Sequence, residues 1–245
     1  MMIDLDRCNG CGACAVACAV ENNVPPAYQQ TNTRTGITWM RVFEIPNDEQ
    51  FPQSDSVFVP MFCQQCENET PCVTVCPQNA VEIDPLTGIV GQIPQRCLGC
   101  RYCMAACPYH ARYFNWRDPK WTDGMKLQLN PDVAPRMRGV VEKCNFCHGR
   151  LHTARQKAAA NGSEKIDPND YVPACVESCP NKAIIFGDLE DGSSEISQAI
   201  KSKNTFRFLS RLGTEPKVYF NSGRAWVREM AEQALTRTKK EEIYG

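Results

Sequence analysis

The sequence predicts an α+β fold with an internal duplication, one copy inserted in the other, plus loop insertions and a C-terminal helix. Three observations carry this expectation. Sixteen of the 245 residues are cysteine, and they fall into four blocks that each end in Cys-x3-Cys. Three of the four final cysteines are followed by proline, at Pro77, Pro108 and Pro180. A short strand, turn, strand pattern follows block two (Ala80–Asp84, a Pro85–Gly88 turn, Ile89-Val90), and Ala183–Phe186 after block four looks like a second copy.

In chain order, block one is Cys8, Cys11, Cys14 and Cys18, a tight loop with Gly10 and Gly12 that leads into a helix over Ala13–Val20. Residues 22–36 are turn-rich. Ile37–Ile45 and Ser56–Met61 are β-prone and read as paired strands around a polar Pro46–Asp55 loop. Block two (Cys63, Cys66, Cys72, Cys76) and block three (Cys97, Cys100, Cys103, Cys107) sit within 45 residues and predict one self-contained unit, 63–108. Block four is Cys144, Cys147, Cys175 and Cys179, with 27 residues between its second and third cysteines. By count and pattern it pairs with block one, giving a split unit, 1–62 plus 140–190, with a loop and strand insertion at 19–62. Residues 109–143 form a connection in which aromatics, arginines and prolines alternate, and 151–172 are polar loop and helix. The extension 191–245 ends in an amphipathic helix over Ser222–Glu242 with Ala225, Trp226, Met230 and Leu235 on one side.

Cys-x2-Cys-x2-Cys-x3-Cys-Pro is the run that holds two-cluster [4Fe–4S] ferredoxins, where the fourth cysteine ligates the other cluster. Sixteen thiolates at four per cubane give four [4Fe–4S] clusters, and the fold becomes a duplicated two-cluster ferredoxin-like one. Ligand exchange then predicts four sets: Cys8, Cys11, Cys14 and Cys179; Cys18, Cys144, Cys147 and Cys175; Cys63, Cys66, Cys72 and Cys107; Cys76, Cys97, Cys100 and Cys103. Disulfides are set aside, because cysteines two or three residues apart are poorly placed to cross-link distant segments. Zinc takes two ligands from each of two knuckles, whereas two blocks here offer three thiolates in seven residues.

The balance of 27 Lys+Arg against 28 Asp+Glu argues against nucleic acid as a partner. No apolar run approaches the length that spans a bilayer, so the chain is not expected to cross one. The start of the sequence has no basic and apolar leader, which reads as cytoplasmic, or as export in the folded state on a signal-bearing partner. Lys143 and Lys182 adjoin cluster ligands and are candidates for tuning potential. Tyr113, Phe114, Trp116, Trp121 and Trp226 are candidates for partner contact, beside the plainer reading of a loop over a cluster and a helix packed on its own domain. His110, His148 and His152 are expected to face solvent or hydrogen-bond, and no catalytic residue set stands out.

The four blocks and their order resemble the four-cluster ferredoxin subunits of molybdopterin oxidoreductases, among them the electron-transfer subunits of dimethyl sulfoxide, polysulfide and tetrathionate reductases. Tyr113-Phe114-Asn115-Trp116, Asp118-Pro119-Lys120-Trp121, Leu129–Val133, Arg138–Cys144 and Leu212–Tyr219 are similar to a narrower branch. That branch is the iron–sulfur component of the quinone reductase complex of sulfate reducers and of alternative complex III. Five residues between Cys66 and Cys72, where four are usual, depart from the family pattern. The resemblance implies an electron-transfer subunit between a large molybdopterin-family subunit and an integral membrane quinone-binding subunit, with multihaem cytochrome c nearby. Electrons would run from periplasmic cytochrome c toward menaquinone. The chain would be peripheral on the inner membrane, reaching the periplasmic face with its partner. A terminal reductase subunit and a free soluble polyferredoxin are the alternatives; the second has no use for 109–143 and the tail.

If the metal sites are the core, iron-free protein is largely unfolded. Chelated protein should lose its near-UV dichroism, and a native-like near-UV spectrum without iron contradicts this.

Overall fold

The computed structural model describes residues 1–26 and 37–233. Its elements are short, because each stretch between cysteine loops runs only a few residues before the next turn. The chain opens with β1 (Met2–Asp4) and α1 (Ala13–Glu21), then β2 (Arg41–Pro46) and β3 (Ser56–Met61). Next come α2 (Pro71–Thr74), β4 (Val81–Ile83), β5 (Val90–Gln92) and α3 (Tyr102–Ala106). The connection holds β6 (Tyr113–Phe114), α4 (Asp123–Lys126) and β7 (Val141–Glu142). After it follow α5 (His148–Ala160), α6 (Ala174–Glu177) and β8 (Ile184–Ile185). The C-terminal part contributes α7 (Glu195–Ala199), β9 (Thr205–Phe206), β10 (Tyr219–Asn221) and α8 (Ala225–Gln233).

β2 and β3 pair antiparallel from Arg41 opposite Met61 to Pro46 opposite Ser56, and β4 and β5 form the hairpin expected after block two. The stretch after block four differs from expectation. β8 makes no hairpin of its own; it pairs antiparallel with β1, Ile3 opposite Ile184. β1 in turn lies parallel to β10, Met2 opposite Tyr219, and β10 pairs with β9. The resulting order β8-β1-β10-β9 draws strands from both ends of the sequence, which neighbouring-residue patterns do not reveal. α1 packs against α6 across the same region, and α2 against α3.

The main core gathers Ile3, Leu5, Trp39, Val57, Phe62, Leu151, Phe220 and Val227 around Cys14, Cys18, Cys144 and Cys175. A smaller cluster of Val81, Val90 and Val141 surrounds Cys72 and Cys103. Segment 109–143 is more structured than a loop. β6 pairs with β7, and Arg136 Nε donates to Glu142 Oε2 at 3.1 Å. Trp39 Nε1 donates to that same oxygen at 2.8 Å, and Arg136 lies over the Trp39 ring. Asn23 Nδ2 donates to Asn130 O and Val133 O, which ties the connection to the end of α1.

The tail helix buries Val227 and Ala231, with Trp226 and Met230 packed beside them. Ala225 is exposed, so the buried face is rotated from the one the sequence suggested. Leu235 and the remainder of that predicted helix lie outside the described residues. Asp6 fastens this part to the start of the chain, accepting from Ser222 Oγ at 2.7 Å, Gly223 N at 2.6 Å and Arg224 Nε at 2.9 Å. Burial would raise the Asp6 carboxyl, but the Gly223 amide, Ser222 and Arg224 outweigh it and hold it below 3.8. Its contribution is therefore present above the ordinary carboxylate value and fades as pH falls through the lowered one. Asp6→Ala should cost about 1–2 kcal/mol, the exposed side of the carboxylate being screened. A thermal midpoint of the loaded protein unchanged by the substitution, at neutral pH, contradicts this.

Candidate metal centres

A Cys-x3-Cys step is about one helical turn, so both thiols leave the same side of the backbone about 6 Å apart along the axis. α1 carries Cys14 and Cys18. α2, α3 and α6 carry Cys72, Cys103 and Cys175, with Cys76, Cys107 and Cys179 at or just past their ends. Each helix therefore addresses two sites.

The thiols line three surface cavities and one buried gathering. Cys8, Cys11, Cys14 and Cys179 line the first cavity, together with Val42 and Pro60. Cys63, Cys66, Cys72 and Cys107 line the second, with Tyr109 and Arg112. Cys76, Cys97, Cys100 and Cys103 line the third, with Gln92, Leu98 and Arg101. The remaining four meet inside the core. Asn22 Nδ2 lies 3.8 Å from both Cys18 Sγ and Cys147 Sγ. Burial, then Cys144, Cys175 and Cys147, drives the Cys18 thiol well up.

Neighbouring thiols give the order in space. Cys14 acts on both Cys18 and Cys175, joining the first cavity to the core gathering. After burial, Cys63 contributes most to raising Cys144, which stands at about 12, so the second cavity abuts the core gathering. Arg112 lies near Cys63 and Cys72 on one side and Cys103 on the other, joining the second cavity to the third. The sequence of sites is first cavity, core, second cavity, third cavity.

The backbone around the thiols repeats. Asn79, His110 and Lys182, each three residues past a final cysteine, are left-handed at φ 46, 49 and 48°. That turn aims the next amide backwards: Ala80 N reaches Cys76 Sγ at 3.2 Å and Ala183 N reaches Cys179 Sγ at 3.3 Å. Gly99 N and Val141 N both donate to Cys97 Sγ at 3.4 Å. Gly99 itself is left-handed, and a Cβ there would sit 2.2 Å from Gly139 O, so only glycine fits.

The donor chemistry fits an iron–sulfur core. Burial and neighbouring thiols push Cys14 and Cys66 up to about 11. Four such thiols facing one space become thiolates only around a strongly cationic centre. Among the described residues, no three His, Cys, Asp or Glu side chains converge as a single ion requires. The cysteines instead ring cavities, as a multi-atom cluster needs and a lone zinc does not.

Lys143, at 1% exposure, is buried beside these sites: Nζ donates to Cys144 O at 2.8 Å and to Val90 O. Its charge acts on both Cys72 and Cys144. Lys182 is an exposed turn residue, where solvent and salt screen its charge. Tyr113 is buried under the Arg41 guanidinium and has no face for a partner. Trp226 is half-buried, with Nε1 donating to Asp55 at 3.0 Å within the chain. Phe114, Trp116 and Trp121 keep exposed surface; Arg101 lies over both Phe114 and Trp116. His110, His148 and His152 are exposed. Sequence reasoning missed Asn22 and Arg112, since nothing in their neighbours marks an asparagine four residues after Cys18 or an arginine five after Cys107.

Residues 54–125 match a 4Fe-4S dicluster domain family, and residues 4–80 match another of the same description. The second match covers blocks one and two, whereas the sequence reading paired block one with block four. The chain is 49% identical over 241 residues to the menaquinone reductase iron-sulfur cluster-binding subunit of Nitratidesulfovibrio vulgaris, covering 98% of this chain and 94% of that one. It is 38% identical to the Hdr-like menaquinol oxidoreductase iron-sulfur subunit 1 of Archaeoglobus fulgidus, over 90% of this chain and 81% of that one. It is 32% identical to the arsenate respiratory reductase iron-sulfur subunit of Shewanella sp. strain ANA-3, over 90% and 94%. With paired 4Fe-4S domains, cavities ringed by thiols and relatives matched over 81–94% of their length, the chain belongs to the family of electron-transferring 4Fe-4S iron–sulfur subunits of oxidoreductase complexes.

Proposed function

We propose that this chain is the relay subunit of a membrane-bound multisubunit oxidoreductase, passing electrons by way of four [4Fe–4S] clusters from periplasmic multihaem cytochrome c toward menaquinone. The observation that carries the reading is the near full-length likeness to a menaquinone reductase iron-sulfur subunit. The serial order of the four thiol sets supports it. Cys8, Cys11, Cys14 and Cys179 hold one cluster; Cys18, Cys144, Cys147 and Cys175 the next. Cys63, Cys66, Cys72 and Cys107 hold the third, and Cys76, Cys97, Cys100 and Cys103 the last.

The two halves form a nested duplication. β1, before block one, pairs with β8, after block four, as β5, before block three, pairs with β4, after block two. The split unit is 1–62 plus 140–190, the inserted unit 63–108, the connection 109–143 and the extension 191–245. Partners are a large molybdopterin-family subunit and an integral membrane quinone-binding subunit. The chain sits peripherally on the periplasmic face after co-export. Among the described residues no helix is long and apolar enough to cross a membrane.

Bound clusters supply one-electron redox chemistry. The residues of the chain fix its geometry and energy. Cys-x3-Cys helices tie adjacent sites together, so their spacing cannot drift. Amides of Ala80, Gly99, Val141 and Ala183 donate to ligand sulfurs and favour the more negative, reduced state. Buried Lys143 adds positive charge between the second and third sites in the order above.

Cys107→Ser should perturb the cluster built on Cys63 and spare the one built on Cys97; spectra altered only at the Cys97 site contradict the ligand exchange. Mass spectrometry of what co-purifies from native membranes, handled anaerobically, should find a molybdopterin-family subunit, a polytopic membrane subunit and a multihaem cytochrome c. A reductase subunit without the cytochrome moves the reading to a terminal reductase. Recovery of the chain alone in the soluble fraction overturns membership of a complex.

A further inference from the structure

Arg112 is buried at 3% exposure, one residue before β6. Its Nη2 donates to Gln92 Oε1, while Nε and Nη1 are buried without a hydrogen-bond partner. Among the described residues it forms no ion pair with a carboxylate. A guanidinium always carries its charge, and a buried, unpaired cation is costly unless anions face it. The anions to hand are sulfurs. Arg112 lines the cavity of Cys63, Cys66, Cys72 and Cys107. Gln92, which accepts from it, lines the cavity of Cys76, Cys97, Cys100 and Cys103, and the Cys103 thiol itself lies within reach of the guanidinium. The guanidinium lies beside Cys72 and Cys103, one thiol from each set.

We infer that Arg112 is a positioning residue for electron transfer, a fixed cation shared by two adjacent clusters whose free N–H groups point at cluster sulfur and whose charge holds both potentials up. This rests on the ligand sets proposed above. The step it influences is the addition of one electron, supplied by the upstream donor, to a net-negative cluster. Arg112 keeps its proton throughout, and no bond is made or broken. Reduction adds negative charge on either side of the guanidinium, so the same cation favours the electron at both sites.

The test is a redox titration, followed by electron paramagnetic resonance, of protein loaded with all four clusters. Arg112→Gln should lower two of the four midpoint potentials, making reduction of each about tenfold less favourable, or roughly 59 mV for one electron. The other two should stay in place. Arg112→Lys, which keeps a charge in the same space, should restore both toward the starting values. Four unmoved potentials in Arg112→Gln at full iron content overturn the inference, and so does an equal fall in Arg112→Lys. If Arg112→Gln fails to load, unaltered protein grown on arginine with heavy nitrogen in the guanidinium decides. A hyperfine coupling from that nitrogen to a reduced cluster, lost in Arg112→Lys, supports the inference, and no coupling overturns it. Unaltered protein that holds fewer than four [4Fe–4S] clusters removes the underlying reading instead, a result distinct from all of these.

Discussion

Buried thiols facing one another are the constraint on which this structure depends. Cys18, Cys144 and Cys175 lie in the same core as Ile3, Leu5 and Phe220, so the interior that excludes water is also where the ligands must ionise. Protonated, these thiols are small apolar groups that fill space. Ionised, they are a concentration of like charge that no aliphatic core tolerates. A cationic inorganic centre resolves the conflict by giving every thiolate a bond and every loop an anchor. The polypeptide then needs only short pieces of regular structure. Helices of four or five residues such as α2, α3 and α6 are below the length at which a helix holds itself together in water.

What the clusters do not anchor, polar contacts do. The connection between the third and fourth blocks is pinned by Arg136, Glu142 and Trp39 in a nearly dry setting, with Glu142 Oε1 left without a partner. Severing such a pair from one side costs on the order of 3–5 kcal/mol. The segment 130–143 therefore belongs to the chain's own architecture. Its aromatic start is more open: Trp116 and Leu127 stand out from the surface, at 45% and 90% exposure. A segment that sequence alone presents as one connection, either a loop over a cluster or a docking surface, divides into a structural half and an exposed half.

Local spacing made the metal chemistry legible. Cys-x2-Cys and Cys-x3-Cys report geometry within a turn, and the hairpin of β4 and β5 follows its block directly in sequence. Strand partners joined across long separations were not legible. The pairing of β1 with β8 and β10 brings Ile3 to Ile184 and Phe220, and no local pattern announces it. The tail helix was found, but its buried face was misread because Val227 packs where Ala225 was expected. Lys182 adjoins a Cys-Pro step in the sequence; in the fold its backbone serves the turn and its side chain faces solvent. Arg112 is the converse case, an arginine whose burial alone makes it noteworthy. Tyr113, next to it and a candidate for partner contact by sequence, is buried in the core.

The closing of the first cavity by Cys179 also has a consequence for biogenesis. Cys8, Cys11 and Cys14 leave the ribosome early, but their fourth companion lies 165 residues beyond the last of them. Translation at about 5–20 residues per second leaves those three cysteines waiting on the order of ten seconds or more. Over that interval they are open to oxidation and to scavenging metals, whereas Cys63 to Cys107 emerge nearly together. β1 waits longer still, since its parallel neighbour β10 is made after Cys179. The thiols of the first cavity are complete only once Cys179 has been made, so the middle of the chain can gather its set before the beginning does.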